Sequence, residues 1–168
     1  MSEENKENNF HVKNLLTKIK IFLSKEKPAD ILIIKAHLLC EYYVNQLLVL
    51  REICTAKELE SLTFYEKIEK AFVLTDKKEK LTFDCVHRLN KLRNKVGHEL
   101  EYSLSESDVD SLGYAQGKDY ILNKYDVETN TERLHDVLTN IVIEIALLLI
   151  NTVESEKKKK KISPSGDS

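Results

Sequence analysis

The apolar residues of this chain recur at helical spacing in two long segments. Such spacing places them on one side of a helix, where they pack against neighbouring helices. The first set is Leu81, Cys85, Leu89, Leu92 and Val96, and the second is Leu134, Val137, Leu138, Ile141, Ile145, Leu148 and Leu149. We therefore predict amphipathic helices over about 77–96 and 130–156 whose apolar sides form part of a core.

A third segment, 28–52, is apolar around nearly its whole circumference. Its polar residues Asp30, His37, Glu41, Asn45 and Glu52 fall within about 80° when successive residues turn by 100°. This pattern predicts a central helix with one narrow polar edge. Two interpretations of that edge are open: it contacts water, or His37, Glu41 or Asn45 borders a functional site.

Helix starts are marked by a cap residue three positions before a carboxylate that can reach back to it. This signature occurs in the pairs Thr55–Glu58, Thr63–Glu66, Asp76–Glu79 and Thr129–Glu132. Pro28 is also tolerated in the first turn of a helix. Together with the two sets of apolar residues above, these signals predict helices over about 8–25, 28–52, 56–62, 64–74, 77–96 and 130–156. Between the last two we predict a helical turn at 105–112 and a loop at 113–117.

The composition favours the same fold. With only 4 Gly and 2 Pro in 168 residues, the chain has few of the turn residues that a β-sandwich or barrel requires. We predict an all-α fold, an up-and-down bundle of four to five main helices with short connecting helices. It forms a single domain over 1–156, followed by a disordered lysine-rich tail over 157–168.

Charge and hydropathy restrict the location and the partners. The formal net charge of −2 creates no overall basic field for nucleic acid, so RNA contact requires a local patch. The polar N-terminus does not resemble a secretory signal. The apolar run 141–150 has about half the length of a membrane span and contains Glu144. We expect a cytoplasmic protein without membrane contact, in which Cys40, Cys54 and Cys85 are reduced and packed.

The segment 93–98, Arg-Asn-Lys-Val-Gly-His, is the candidate for chemistry. A guanidinium binds phosphate as a fixed fork of donors, and an imidazole exchanges protons near neutral pH, so Arg93 and His98 suit RNA cleavage without a metal or cofactor. In an unbroken helix their side chains point about 140° apart. We therefore expect Gly97 to end the helix and allow them to converge. The alternative is a helix C-terminus capped by cationic side chains.

The run LNKLRNKVGH at 89–98 resembles the signature of the HEPN domain superfamily: an Arg, commonly a polar residue next, and a His after four to six residues. The runs HLLCEYYVNQLL at 37–48 and TFYEKIEKAFVL at 63–74 are similar to the second main helix and the connecting helix of its members. The resemblance covers about 31–100. The run at 63–74 also resembles the mannitol-operon-repressor-like branch, whose members need not be nucleases.

The resemblance implies a homodimer in which the Arg-His segments of two protomers face each other across a shared cleft. It implies metal-independent endoribonuclease activity, as in toxins of toxin–antitoxin pairs and phage-defence factors, with RNA as substrate and an antitoxin or regulatory protein as a further partner. Arg93 and His98 match the catalytic positions. Asn94, Lys95 and, from the second helix, Glu41 are substrate-binding candidates.

Two alternatives stay open. The first is a non-catalytic HEPN-like module that binds RNA, a nucleotide or a protein, and the second is a regulator of the repressor-like branch. In the subgroup silenced by a nucleotidyltransferase, a Tyr follows two positions after the His. Here His98 is followed by Glu99 and Leu100, which departs from that pattern.

Overall fold

A computed structural model describes residues 3–24, 28–73, 75–98, 102–114 and 130–162. Within these ranges the chain forms helices and no strands. In chain order they are α1 (Glu3–Phe22), α2 (Ala29–Leu50), α3 (Ala56–Glu60), α4 (Phe64–Val73), α5 (Lys77–His98), α6 (Glu106–Gly113) and α7 (Asn130–Ile162). The predicted all-α bundle is confirmed.

Helix α2 lies at the centre of the bundle. It packs most extensively on α7 and also contacts α3, α4 and α5, while α6 bridges α5 and α7. Leu32, Ile33 and Leu48 of α2 and Leu138 and Ile141 of α7 are completely buried. Burial of one such side chain contributes about 1.5–3 kcal/mol. The central position predicted for α2 is confirmed, and its packing fixes α5, which carries the candidate site.

Three of the predicted helix starts have their caps. The cap oxygen accepts the backbone N–H of the carboxylate residue in the pairs Thr55–Glu58 (3.2 Å), Thr63–Glu66 (3.3 Å) and Asp76–Glu79 (2.8 Å). In the first two pairs the carboxylate also accepts the N–H of the cap residue, at 2.7 and 2.8 Å. The fourth cap, at position 129, lies outside the described residues.

The apolar stripe of α5 is broader than predicted. Leu81 is 54% exposed, whereas Phe83 and Val86, which the predicted stripe omits, are 1% and 0% exposed. Because α5 contacts α2, α4, α6 and α7, a wide arc of its surface is buried. Leu81 lies at the edge of that arc, and its placement in the core was wrong.

Helix α7 continues into the tail that was predicted to be disordered. It ends at Ile162, six residues past the predicted end at Glu156. Lysine and glutamate are good helix formers, and Lys159 donates to Glu156 at 2.7 Å along the helix. The prediction of disorder is therefore wrong for 157–162, and residues 163–168 lie outside the described part of the chain.

One helical stretch within the described residues, Asn130–Lys159, is long and apolar enough to cross a membrane by length and composition. The same stretch carries Leu134, Leu138 and Ile145, which are buried against the rest of the bundle. A core helix passes the same test of length and composition. The stretch is therefore weak evidence for a membrane span.

Candidate functional site

Helix α5 does not break at Gly97. The helix runs without interruption through Gly97 to His98, and the φ angle of Gly97 lies outside the left-handed region. The predicted end at Val96 and the predicted break are both wrong. A glycine within a helix costs only about 1 kcal/mol relative to alanine, less than the burial of Leu89 and Leu92 contributes in the preceding turns.

The unbroken helix keeps Arg93 and His98 on different sides of α5. At 100° per residue their directions differ by about 140°. Both side chains are exposed, and an Nη1 N–H of Arg93 donates to Oδ1 of Asn94 at 3.3 Å. The structure therefore brings Arg93 and Asn94 together. His98 lies one turn after Asn94 on the same helix, and no hydrogen bond joins it to either residue.

Replacing Gly97 with alanine tests the continuity of α5. A Cβ at this position would meet Nη1 of Arg93 at 3.8 Å, an ordinary contact. Because alanine is the better helix former, we expect Gly97→Ala to raise the free energy of unfolding by about 0.5–1 kcal/mol, measured by urea denaturation. If the variant is instead less stable than the wild type, Gly97 adopts a left-handed conformation and the predicted break of α5 is correct.

On the Arg93 side of α5, His37 of the polar edge of α2 is buried against the helix. Nε2 of His37 lies 3.0 Å from Oδ1 of Asn90, one turn before Arg93, and the His37 ring packs edge-on against Phe64 at 4.6 Å between centroids. Burial lowers the pKa of His37, and the nearby positive charge of Arg93 lowers it further, against the opposing effects of Asn90 and Glu41. Burial at this part of the α2 edge therefore favours the neutral form of the His37 imidazole.

Glu41, a predicted substrate-binding residue, is engaged by α4. Its Oε1 accepts from Nζ of Lys67 at 2.9 Å, and the side chains of Lys67 and Glu41 are 8% and 31% exposed. A buried ammonium requires a partner charge. The structure therefore gives Glu41 a role in neutralising Lys67, at a position close enough to His37 to influence its pKa.

Lys95, another predicted substrate-binding residue, contacts α6. Its Nζ donates to Asp108 at 3.0 Å. Asp108 also accepts from the Tyr102 hydroxyl at 2.8 Å and forms a capping box with Ser105 at the start of α6. Partial burial opposes its ionisation, yet the hydrogen bonds from Ser105, Tyr102 and Lys95 lower the pKa of Asp108 to about 2. Lys95 is thus half-exposed and already paired.

On the His98 side, α5 and α6 enclose a cleft of about 260 Å³. Its lining consists of Asp84, His87, Arg88, Lys91, Leu92 and Lys95 from α5 and Asp108, Ser111 and Leu112 from α6. Neither Lys91 nor Arg88 is among the residues predicted from the sequence to form the site. The steps of four, four and three residues from His87 through Lys91 and Lys95 to His98 were the signal available.

The thiols are not part of a reactive site. Cys40, Cys54 and Cys85 are all buried and unpaired, as predicted. Burial raises the pKa of Cys85 to about 12, so its thiol is protonated at neutral pH and is a poor nucleophile. Among the described residues, no group of three or more His, Cys, Asp or Glu side chains is arranged to hold a metal ion.

No protein-family model, curated protein or solved structure matches this chain. The similarity to the HEPN superfamily consequently rests on the sequence motif and the helical runs alone.

Proposed function

We propose that this protein is a HEPN-type, metal-independent endoribonuclease. The observation that carries the proposal is the exposure of Arg93, Asn94 and His98 together at the end of α5. Among the described residues, no carboxylate neutralises Arg93 and no polar side chain occupies His98. A guanidinium that no carboxylate neutralises and an exposed imidazole favour binding of an anionic substrate over a purely structural role as a helix cap.

In this proposal each side chain has a defined chemical role. His98 takes the proton from a ribose 2′-hydroxyl, whose oxygen attacks the adjacent phosphorus while the bond to the 5′-oxygen of the next nucleotide breaks. Arg93 binds the non-bridging oxygens as negative charge increases on them, and Asn94 donates a further hydrogen bond. The leaving 5′-oxygen takes a proton from solvent water, His98 returns its proton to solvent, and the products are a 2′,3′-cyclic phosphate and a free 5′-hydroxyl.

The separation of Arg93 and His98 on one helix supports a site that two copies of the chain share. The proposed homodimer supplies Arg93 from one protomer and His98 from its partner at each of two equivalent sites. An apolar face of α2 supports this assembly: Leu38 and Tyr42 are 56% and 57% exposed, flanked by Ile31, Ile34 and Val49 at 37–42%. This face adjoins Glu41 and thus the Arg93 side of α5.

The test is incubation of the purified protein with single-stranded RNA in the presence of a chelator. We expect cleavage to yield fragments ending in 2′,3′-cyclic phosphate, identified by mass spectrometry. Intact RNA, or fragments that appear only when a divalent metal is added, would refute the proposed reaction. In cells, the proposal predicts a cytoplasmic protein whose expression arrests growth. Co-expression of an antitoxin or regulatory partner should restore growth.

A second candidate function is a non-catalytic module that binds RNA, a nucleotide or a protein. It is favoured by one observation, the angle of about 140° between Arg93 and His98 within a single helix. A monomer with this geometry binds anions on two sides of α5 and cleaves nothing. Binding of RNA without cleavage by a monomeric protein would select this candidate.

A further inference from the structure

We infer that the cleft between α5 and α6 binds the sugar-phosphate backbone of single-stranded RNA next to His98. This inference rests on the proposed function and adds a substrate-binding surface to it. At 100° per residue, His87 and Lys91 each lie within about 20° of His98 in direction, and Lys95 lies within about 60°. His98 therefore continues the row of side chains that line the cleft.

The cleft has a cation available for a ligand. Its two carboxylates are already neutralised, since Asp84 accepts from Arg88 at 3.0 Å and Asp108 accepts from Lys95 at 3.0 Å. Lys91 is exposed and has no hydrogen-bonding or ionic partner among the described residues. An entering phosphate would meet the ammonium of Lys91 without first displacing a carboxylate from it.

The remaining walls suit a sugar and a base. Leu92 forms part of the buried floor, and the Oγ of Ser111 is directed at Arg88, at 3.4 Å. Two aromatic rings flank the cleft: Tyr65 packs edge-on to His87 at 5.2 Å, and Tyr114, 74% exposed, lies under the Arg88 guanidinium at 5.7 Å. Exposed aromatic rings beside cations provide stacking surfaces for unpaired bases.

The spacing fits a strand that follows the helix. His87, Lys91 and Lys95 stand one turn apart, about 5–6 Å along the axis. This is comparable to the distance between neighbouring phosphates of an extended strand. A strand with one phosphate at Lys91 would reach His98 about two turns further along α5. Binding in the cleft would thus determine which phosphodiester bond of the RNA lies within reach of the His98 imidazole.

The experiment measures binding of a fluorescein-labelled single-stranded RNA of mixed sequence by fluorescence anisotropy at several KCl concentrations. The protein carries His98→Ala, so that RNA is not consumed. Adding Lys91→Ala is expected to weaken binding about fivefold near 0.1 M salt and to reduce the slope of log K against log salt by about 0.7. The matched control is Lys57→Ala. Lys57 is an exposed lysine of α3, which lies near the start of α5, whereas His98 is at the end of α5.

Each outcome decides a different claim. If Lys91→Ala binds like Lys57→Ala while the wild type cleaves RNA, the cleft assignment fails and the proposed function stands. If the wild type neither binds nor cleaves RNA, both fail. A fluorescein-labelled oligoglutamate that binds more tightly than the RNA would assign the cleft to an acidic protein segment and overturn the inference. Unchanged thermal unfolding of each variant shows that the comparison concerns folded protein.

Discussion

The His98→Ala variant is expected to cleave RNA about 10²–10⁴ times more slowly than the wild type, because it lacks the side chain that exchanges protons with the 2′-hydroxyl. Arg93→Ala should cost about 10²–10³-fold through the loss of charge stabilisation on the phosphate. Both side chains are exposed, so neither substitution should change the unfolding temperature. The measurement is the single-turnover cleavage rate of labelled RNA with chelator present, with Lys57→Ala as the control expected to match the wild type.

Mixing the two inactive variants separates action within one chain from action across a dimer. In a dimer of one Arg93→Ala chain and one His98→Ala chain, one composite site keeps an intact Arg93 and an intact His98. With random exchange, the mixture should regain about a quarter of the wild-type activity. If the two residues act within one chain, no intact pair exists and activity stays at the level of the single variants. The unbroken helix α5 favours the first result.

The sequence pattern predicted the fold where local signals and burial agree. At Thr55 and Thr63 the cap and the carboxylate lie within one turn, so neighbouring residues alone determine where the helix starts. The failures are positions where several elements compete. The exposure of Leu81 depends on which helices surround α5, and that information lies in long-range packing. The tail was predicted to be disordered from residue 157, but α7 continues past its core contacts, so residues 157–162 are helical.

The sequence motif proposes the members of the candidate site, but it does not determine their geometry. Motif resemblance selected Arg93, Asn94 and His98, yet the effect of Gly97 depended on whether the helix ends there. The glycine signal favours an end, but the packed turns before it and the absence of a following proline allow the helix to continue. Lys91 was missed because a lone lysine on an exposed face has no distinctive local signal until α6 packs beside it.

We expect the main role of Glu41 to be stabilisation of the fold and not RNA binding. Glu41→Ala leaves the ammonium of Lys67, whose side chain is 8% exposed, without its carboxylate partner. Loss of one member of a fully buried pair costs about 3–5 kcal/mol, and the 31% exposure of Glu41 reduces the expected loss to about 2 kcal/mol. Urea denaturation measures it, and Glu60→Ala, at an exposed position of α3, should change stability by no more than about 0.5 kcal/mol.

A double variant identifies the cause of that loss. Lys67→Met removes the charge and keeps most of the side-chain volume, so adding it to Glu41→Ala should restore most of the lost stability. If Glu41 instead contacts the substrate directly, Glu41→Ala would weaken RNA binding at unchanged stability, and Lys67→Met would restore nothing. Because Glu41 and Arg93 both lie close enough to His37 to influence its pKa, loss of the Glu41–Lys67 pair can also reach the site through α2. If Glu41 acts through the structure, the double variant should recover both its stability and its RNA cleavage. If stability recovers and cleavage does not, Glu41 also contacts the substrate.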